Sequence, residues 1–288
     1  MLAIQKLAII GDPISHSLSP ALQSFLIRHF ALPFTYEALH VRPNELPQIM
    51  LRLRAGEFRG INVTLPHKQS VLPFLHRLDA TAASIGAVNT IVAEEERLIG
   101  YNTDARGFER SLVNIGPLNT APTALVLGAG GAARAVIFAL IQARVEKIVV
   151  SNRSAERAAT LLAAFARYAE LNQLQNLPWD ERAVWLKKNE VELLINTTRV
   201  GMHPHDDESP LPAEVFSAAM TVIDLVYNPL QTQFLRAAKL AGAKIVNGLG
   251  TLIYQGVAAL ELWCQQSLAV SEIYSSLEDE LMRALVKK

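Results

Sequence analysis

The chain has 288 residues, half of them hydrophobic and 19% charged, and its Lys plus Arg and its Asp plus Glu both number 27. This length and composition predict a folded protein of two domains and exclude wholesale disorder. The zero net charge gives no long-range attraction to nucleic acid or to an anionic membrane. The single cysteine, Cys264, cannot form an internal disulfide or a cysteine-based zinc site.

The N-terminal apolar stretch is short and lacks the cleavage site of a signal peptide. No apolar run reaches the ~18 residues of a membrane span. We therefore expect a cytoplasmic protein without a membrane or nucleic-acid partner and without a bound metal.

Short apolar runs alternate with helical patterns in the first block of the chain. Strands are predicted at 6–10, 34–41, 60–64, 87–93 and 97–102. One helix is predicted to begin near Ser19, and another to span 44–54. The last two strands flank an acidic turn, Glu94 to Glu96. This alternation indicates an α/β architecture.

A second block begins after the turn-rich segment 119–122. Strands are predicted at 123–127, 147–152, 191–196, 221–227 and 243–248, with helices at 132–143 and 154–170 and a helical tail from Thr251. Alternating strands and helices at this spacing are typical of the doubly wound nucleotide-binding fold.

A glycine-rich loop joins the first strand of this block to its helix and consists of Gly128, Ala129, Gly130, Gly131 and Ala132. Gly128 permits a tight turn, and Gly130 lets the backbone approach a pyrophosphate, which the helix N-terminus attracts. The third glycine of the usual pattern is replaced by Ala133. In this strand–loop–helix context the loop predicts dinucleotide binding.

The end of the next strand indicates which nucleotide binds. NAD-binding folds usually place a carboxylate there, whereas this chain has Asn152, Arg153 and Ser154, followed by Arg157. Guanidinium groups bind phosphate through two N–H groups at once, so the segment predicts a site for the 2′-phosphate and hence binding of NADP(H). The alternative is that both arginines only begin a solvated helix.

Polar side chains also occur at strand ends in the first block, where α/β sheets face their ligands. Each has an ordinary structural explanation, such as a helix cap for Ser19 and Asp104 or a satisfied core amide for Asn89. Taken together they favour a ligand site: Ser17, Ser19, Thr64, Lys68, Asn89 and Asp104.

Motifs along nearly the whole chain resemble those of the shikimate dehydrogenase family. They are GDPISHSLSP at 11–20, NVTLPHK at 62–68, GAVNT at 86–90, GYNTDARG at 100–107, NRS at 152–154, INTT at 195–198, DLVYNP at 224–229 and GLG at 248–250.

The resemblance implies a role for each matching residue. Ser17 and Ser19 would bind the substrate carboxylate, and Lys68 and Asp104 would be the catalytic pair. The ring hydroxyls would be bound by Thr64, Asn89 and Asp104, with Gln255 and Tyr227 closing the pocket. Thr197, Leu225 and Gly248 would join the glycine loop and residues 152–157 in binding NADP.

The implied reaction is the reversible, NADPH-dependent reduction of 3-dehydroshikimate to shikimate in the biosynthesis of chorismate and aromatic amino acids. The implied fold has a substrate domain, residues 1–105 completed by helices at 249–288, and an inserted Rossmann-like NADP domain, residues 106–248. A deep cleft would separate the domains, and the protein would be a monomer or a homodimer.

Two alternatives stay open. One is a quinate/shikimate dehydrogenase with relaxed choice of substrate or cofactor, against which residues 152–154 argue because they suit NADP. The other is a non-catalytic NADP(H) sensor, since fold does not fix function. Lys68 and Asp104 argue against a sensor. We expect Arg199 to face solvent, and His203 and His205 to lie in a solvated loop rather than bind metal.

Overall fold

The computed structural model describes residues 3–118 and 122–286. The chain divides into two compact units, one of residues 1–107 and 252–288 and one of residues 108–251. Within the described residues, no helix is long and apolar enough to cross a membrane.

The first unit is built on a six-stranded mixed sheet. Its strands are β1 (Gln5–Gly11), β2 (Phe34–His40), β3 (Gly60–Val63), β4 (Arg77–Leu78), β5 (Thr90–Glu94) and β6 (Arg97–Tyr101). Its helices are α1 (Ser19–His29), α2 (Leu46–Arg54), α3 (Ala80–Ile85), α4 (Thr103–Ile115), α9 (Leu249–Cys264) and α10 (Tyr274–Val286), of which α4 and α9 contain the unit boundaries. Short 3₁₀ turns span Pro43–Glu45, Leu72–Phe74 and Val270–Glu272.

The strand order in this sheet is β2-β1-β3-β5-β6-β4. β1 pairs in parallel with β2 and β3, whereas β5 pairs antiparallel with β3 and β6, so the predicted strand pair around the acidic turn is a hairpin. Two side chains anchor α9 to this unit. The Trp263 indole donates to the Ile91 carbonyl over 3.1 Å, and the Gln23 amide donates to the Gly256 carbonyl over 2.8 Å.

The second unit contains six parallel strands, in the order β12-β11-β10-β7-β8-β9. They are β7 (Thr123–Leu127), β8 (Lys147–Asn152), β9 (Leu174–Pro178), β10 (Leu193–Asn196), β11 (Thr221–Asp224) and β12 (Lys244–Val246). The helices are α5 (Gly131–Gln142), α6 (Ala155–Phe165), α7 (Arg182–Leu186) and α8 (Gln233–Leu240), with 3₁₀ turns at Trp179–Glu181 and Ala213–Val215. This is the strand order of the doubly wound dinucleotide-binding fold.

Alternating residues of the central strand β7 build the two cores of this unit. Val126 packs with Leu140 of α5 on one face, whereas Leu127 belongs to the cluster of Phe234 from α8 on the other. Strands buried on both faces read as continuous apolar runs, which is why 123–127 is recognisable in the sequence.

The structure corrects several predicted bounds. The strand predicted at 221–227 ends at Asp224, because the Asp224 carboxylate accepts a hydrogen bond from the Val226 amide and turns the chain. The helix predicted at 154–170 ends at Phe165. Elements that the sequence did not indicate are β4, α3, β9, α7 and α8.

Candidate active site

Lys68 and Asp104 form an ion pair in the first unit. Lys68 follows the turn after β3, and Asp104 lies in the first turn of α4. The Lys68 ammonium donates to Asp104 Oδ2 over 2.5 Å, and the two side chains are only 14% and 17% exposed. The Val88 amide donates to the Lys68 carbonyl, which fixes the backbone of the lysine. The pair is therefore preformed and largely shielded from water.

Asn89 holds the other oxygen of this carboxylate. Its amide nitrogen lies 2.9 Å from Asp104 Oδ1 and 3.2 Å from the Gln255 side-chain oxygen. Its amide oxygen accepts from the Thr103 backbone N–H over 2.7 Å, which fixes the orientation of the amide. Gln255 in turn donates to the Leu252 carbonyl. The structure thus brings together four predicted residues: Lys68, Asn89, Asp104 and Gln255.

The predicted carboxylate-binding serines lie between β1 and the first turn of α1. The Ser19 backbone N–H donates to the Ser17 hydroxyl over 3.2 Å, so the Ser17 side chain lies against the backbone of Ser19. Ser19 is buried and Ser17 is half-buried. Thr64 directly follows β3, and its backbone N–H donates to the Ile10 carbonyl at the end of β1. Thr64 therefore lies at the carboxyl ends of the paired strands β1 and β3, and the two serines follow β1 along the chain.

Tyr36 of β2 and Asn62 of β3 form a hydrogen-bonded pair that contacts Asn89, and sequence analysis did not single them out. The Tyr36 hydroxyl donates to the Asn62 side-chain oxygen over 2.7 Å. The Asn62 amide donates to the Asn89 carbonyl and to the Thr90 hydroxyl, each over 3.1 Å. Burial raises the pKa of Tyr36 well above its usual value of 10, so its hydroxyl stays protonated. Asn62 is the first residue of the NVTLPHK motif, so its place in that motif could have identified it from the sequence.

In the second unit the glycine loop fits a dinucleotide. Gly128 has φ +112°, a conformation that favours glycine, and an added Cβ would lie 2.5 Å from the Thr197 hydroxyl. A Cβ at Gly130 would meet nothing within 4 Å, so its backbone borders open space. The N-cap residue of α5 is Gly130, which has no side chain to cap the helix, and a helix start of this kind attracts phosphate. Ala129, Gly131 and Ala132 complete this turn and the start of the helix.

At the end of β8 and just after it, two predicted NADP-binding residues shape the turn and two are exposed to solvent. The Asn152 side chain donates to the Ser154 carbonyl, and the Ser154 hydroxyl caps α6 by accepting from the Arg157 amide, so both polar groups shape the turn. Arg153 and Arg157 are exposed, and neither forms an ion pair within residues 3–118 and 122–286. The two guanidinium groups are thus available to an anion at this strand end.

Thr197, Leu225 and Gly248 follow the ends of β10, β11 and β12. The Thr197 backbone N–H and hydroxyl both donate to the Leu127 carbonyl. A Cβ at Gly248 would lie 2.2 Å from the Leu225 carbonyl oxygen, so only glycine permits this approach of two backbones. Tyr227 is half-buried and lies three residues beyond β11. These strand ends form one edge of the parallel sheet, where doubly wound folds bind ligands.

A buried polar cluster, which sequence analysis did not identify, lies behind this edge. It consists of Asn196, Asp224 and Thr232, none of which is exposed. Burial raises the pKa of Asp224 to about 6, although hydrogen bonds from Thr232, Val226 and Asn196 oppose the rise. The signal was in the sequence, because Asn196 and Asp224 begin the polar parts of the INTT and DLVYNP motifs.

Other predicted surface features lie as expected. Arg199 is exposed. His203 and His205 are also exposed, and each lies within 4 Å of an acidic side chain three residues on, Asp206 and Glu208.

Two family models match the chain. The substrate-binding domain of shikimate dehydrogenase matches residues 9–91, and the family described as shikimate/quinate 5-dehydrogenase matches residues 111–199. The NADP(+)-dependent shikimate dehydrogenase of Moorella thermoacetica is 42% identical over 264 residues, which cover 92% of this chain and 89% of the relative. The chain belongs to the shikimate dehydrogenase family.

Solved structures of family members have the same fold. Shikimate 5-dehydrogenase from Thermus thermophilus, solved with NADP(H) and shikimate, has a TM-score of 0.84 and 40% identity, and the match covers 97% of this chain and 99% of that one. A 5-ketofructose reductase from a Gluconobacter species has a TM-score of 0.79 and 30% identity, with 97% and 99% coverage. Similarity of fold thus extends to a reductase named for another substrate.

Proposed function

We propose that this protein catalyses the reversible, NADPH-dependent reduction of 3-dehydroshikimate to shikimate. The observation that carries the proposal is the preformed Lys68–Asp104 pair, held by Asn89 beside Gln255 in a member of the shikimate dehydrogenase family. A non-catalytic sensor has no need of a shielded ammonium–carboxylate pair. A member that reduces 3-dehydroshikimate for shikimate synthesis contributes to the biosynthesis of aromatic amino acids.

Reduction of the ketone needs one hydride and one proton. NADPH supplies the hydride to the carbonyl carbon when it is bound. As the C=O double bond becomes a single bond, negative charge develops on the oxygen. The Lys68 ammonium, aligned by Asp104, stabilises that charge, and the pair delivers the proton that completes the alcohol. In the reverse reaction the pair accepts the proton from the substrate hydroxyl.

Three groups of side chains would orient the substrate. Ser17 and Ser19 bind the carboxylate with their hydroxyl groups. Thr64, Asn89 and Asp104 bind the ring hydroxyls, with Gln255 beside them, and we also assign Tyr227 of the second unit to substrate binding. An ordered polar pocket of this kind rejects analogues that leave one of its buried groups unpaired.

NADP is held by the second unit in this proposal. Gly128 to Ala132 would hold the pyrophosphate, since the backbone at Gly130 borders open space at the start of α5. Arg153 and Arg157 would hold the 2′-phosphate, beside Asn152 and Ser154. Thr197, Leu225 and Gly248 would hold the remainder of the cofactor. We assign substrate binding to residues 1–105 with 249–288, NADP binding to residues 106–248, and a monomer or homodimer as the active form.

Isotope transfer tests the reaction itself. The purified protein is incubated with 3-dehydroshikimate and NADPH that carries deuterium at the transferable position of nicotinamide C4, and the product is analysed by mass spectrometry. Shikimate heavier by one mass unit is expected, because the hydride goes directly to the carbonyl carbon. Consumption of NADPH without deuterium in shikimate would contradict the proposal.

A further inference from the structure

The buried carboxylate of Asp224 joins several segments at the sheet edge. Its Oδ1 accepts from the Asn196 amide and from the Val226 backbone N–H, each over 3.0 Å. Its Oδ2 accepts from the Thr232 hydroxyl over 2.6 Å. One carboxylate therefore connects the end of β10, the segment after β11 and the start of α8.

Asn196 and Thr232, two of the hydrogen-bond partners of Asp224, also bind backbone groups of the neighbouring segments. The Asn196 oxygen accepts from both the backbone N–H and the hydroxyl of Thr198, which shapes the segment after β10. The Thr232 hydroxyl oxygen caps α8 by accepting from the Leu235 amide. These hydrogen bonds thus satisfy both oxygens of the carboxylate and fix the geometry around it.

The fixed segments include the residues to which we assign NADP binding. The Leu225 amide donates to the Asn196 carbonyl, and the Val226 carbonyl accepts from the Gly248 amide. Gly248 also packs directly on the Leu225 carbonyl. Asp224 itself is fully buried, so it acts behind this backbone and does not face a ligand.

We propose that Asp224 is a positioning residue for NADP, which holds the Leu225–Val226 backbone and Gly248 in the geometry that binds the cofactor. The inference rests on the proposed function, because it uses the NADP-binding role of these strand ends. Burial opposes ionisation of Asp224, but the three hydrogen bonds favour the anion, because a carboxylate is the stronger acceptor. These donors therefore hold a neutral group in its place less firmly.

Titration of Asp224 gives the proposal a specific signature. The three groups that donate to the carboxylate, from Asn196, Val226 and Thr232, are neutral. Burial raises the pKa of Asp224 to about 6, so the carboxylate is charged at pH 8 and protonated at pH 5. The protonated acid and the isosteric amide of Asp224→Asn resemble each other, so the variant and the wild type should differ only where Asp224 is charged.

The test compares the Kd of NADP+ for the wild-type protein and Asp224→Asn by isothermal titration calorimetry from pH 5 to pH 8. We expect the variant to bind about fivefold more weakly at pH 8, as a neutral hydrogen bond replaces a charge-assisted one, and the ratio of the two Kd values to approach one at pH 5. Titration of the 2′-phosphate affects both proteins equally and cancels in this ratio.

A merely structural role would leave the Kd ratio constant with pH, and that result would overturn the proposal. A second pair of variants keeps the test independent of Asp224 itself. Thr232→Ser retains the hydroxyl and should bind NADP+ like the wild type, whereas Thr232→Val should bind it more weakly at pH 8. Equal affinities of these two variants would also contradict the proposal. If the wild-type protein binds no NADP+ at any pH, the proposed function fails instead.

Discussion

Removal of the Arg153 guanidinium tests how this chain selects its cofactor. Arg153 is exposed at the end of β8 and forms no ion pair within the described parts of the chain, so its charge is available to a phosphate. A hydrogen bond to a charged group contributes about 1.5–3 kcal/mol, and solvent screening at this exposed position favours the lower value. Because about 1.36 kcal/mol corresponds to a factor of ten, Arg153→Ala should raise the KM for NADP+ about tenfold.

The assay measures initial rates of nicotinamide reduction at 340 nm, with shikimate saturating and either NADP+ or NAD+ varied. The KM for NAD+ should stay within about twofold, because its ribose carries a hydroxyl in place of the phosphate. Lys188→Ala is the matched control. It removes an exposed cation of the same unit that precedes the amino-terminal end of β10, whereas Arg153 follows the carboxyl end of β8. Equal increases in the KM for both nucleotides would refute the 2′-phosphate argument.

Three further predictions concern catalysis and stability. Lys68→Ala should lower kcat by ~10²–10⁴ with little change in the KM for shikimate, and near-normal turnover would exclude the proposed acid–base role. Gly248→Ala should lower the free energy of unfolding in urea by ~1–3 kcal/mol, because its Cβ would lie 2.2 Å from the Leu225 carbonyl oxygen, and an unchanged midpoint would contradict this. Ionisation of Asp224 should lower the free energy of unfolding as pH rises. The pKa of Asp224 is about 6 in the folded protein and 3.8 in the unfolded chain, so its contribution to that free energy falls by about 3 kcal/mol as pH rises through these two values. Asp224→Asn should lack this pH dependence in urea unfolding, and a parallel pH profile in both proteins would be inconsistent with it.

The sequence predicted best those elements that are buried on both faces. The run at 123–127 and the run at 147–152 are β7 and β8 with the predicted bounds, because parallel strands in the centre of a covered sheet leave little room for polar residues. The short strand β4 and the short helix α7 carry too few residues to show a period. They depend on tertiary contacts that no local pattern reports.

The sequence also identified the charged and hydroxyl groups that line the candidate site but not the groups behind them. Lys68 and Asp104 come after strands β3 and β6 along the chain, and Asn89 directly precedes β5. The structure brings the three side chains into hydrogen-bonding distance. Tyr36 and Asp224 read as ordinary strand residues, because their importance lies in partners distant along the chain or around a turn. Buried polar networks are therefore what sequence patterns alone did not reveal here.

Initial rates with purified protein, crossing shikimate and quinate with NADP+ and NAD+, distinguish the proposed activity from both alternatives. We expect rapid turnover with shikimate and NADP+ and much slower turnover in the other three combinations. Comparable turnover of quinate, or a preference for NAD+, would contradict the assigned specificity and favour a broader quinate/shikimate enzyme. Absence of turnover in all four would contradict the catalytic role of Lys68 and Asp104 and favour a sensor.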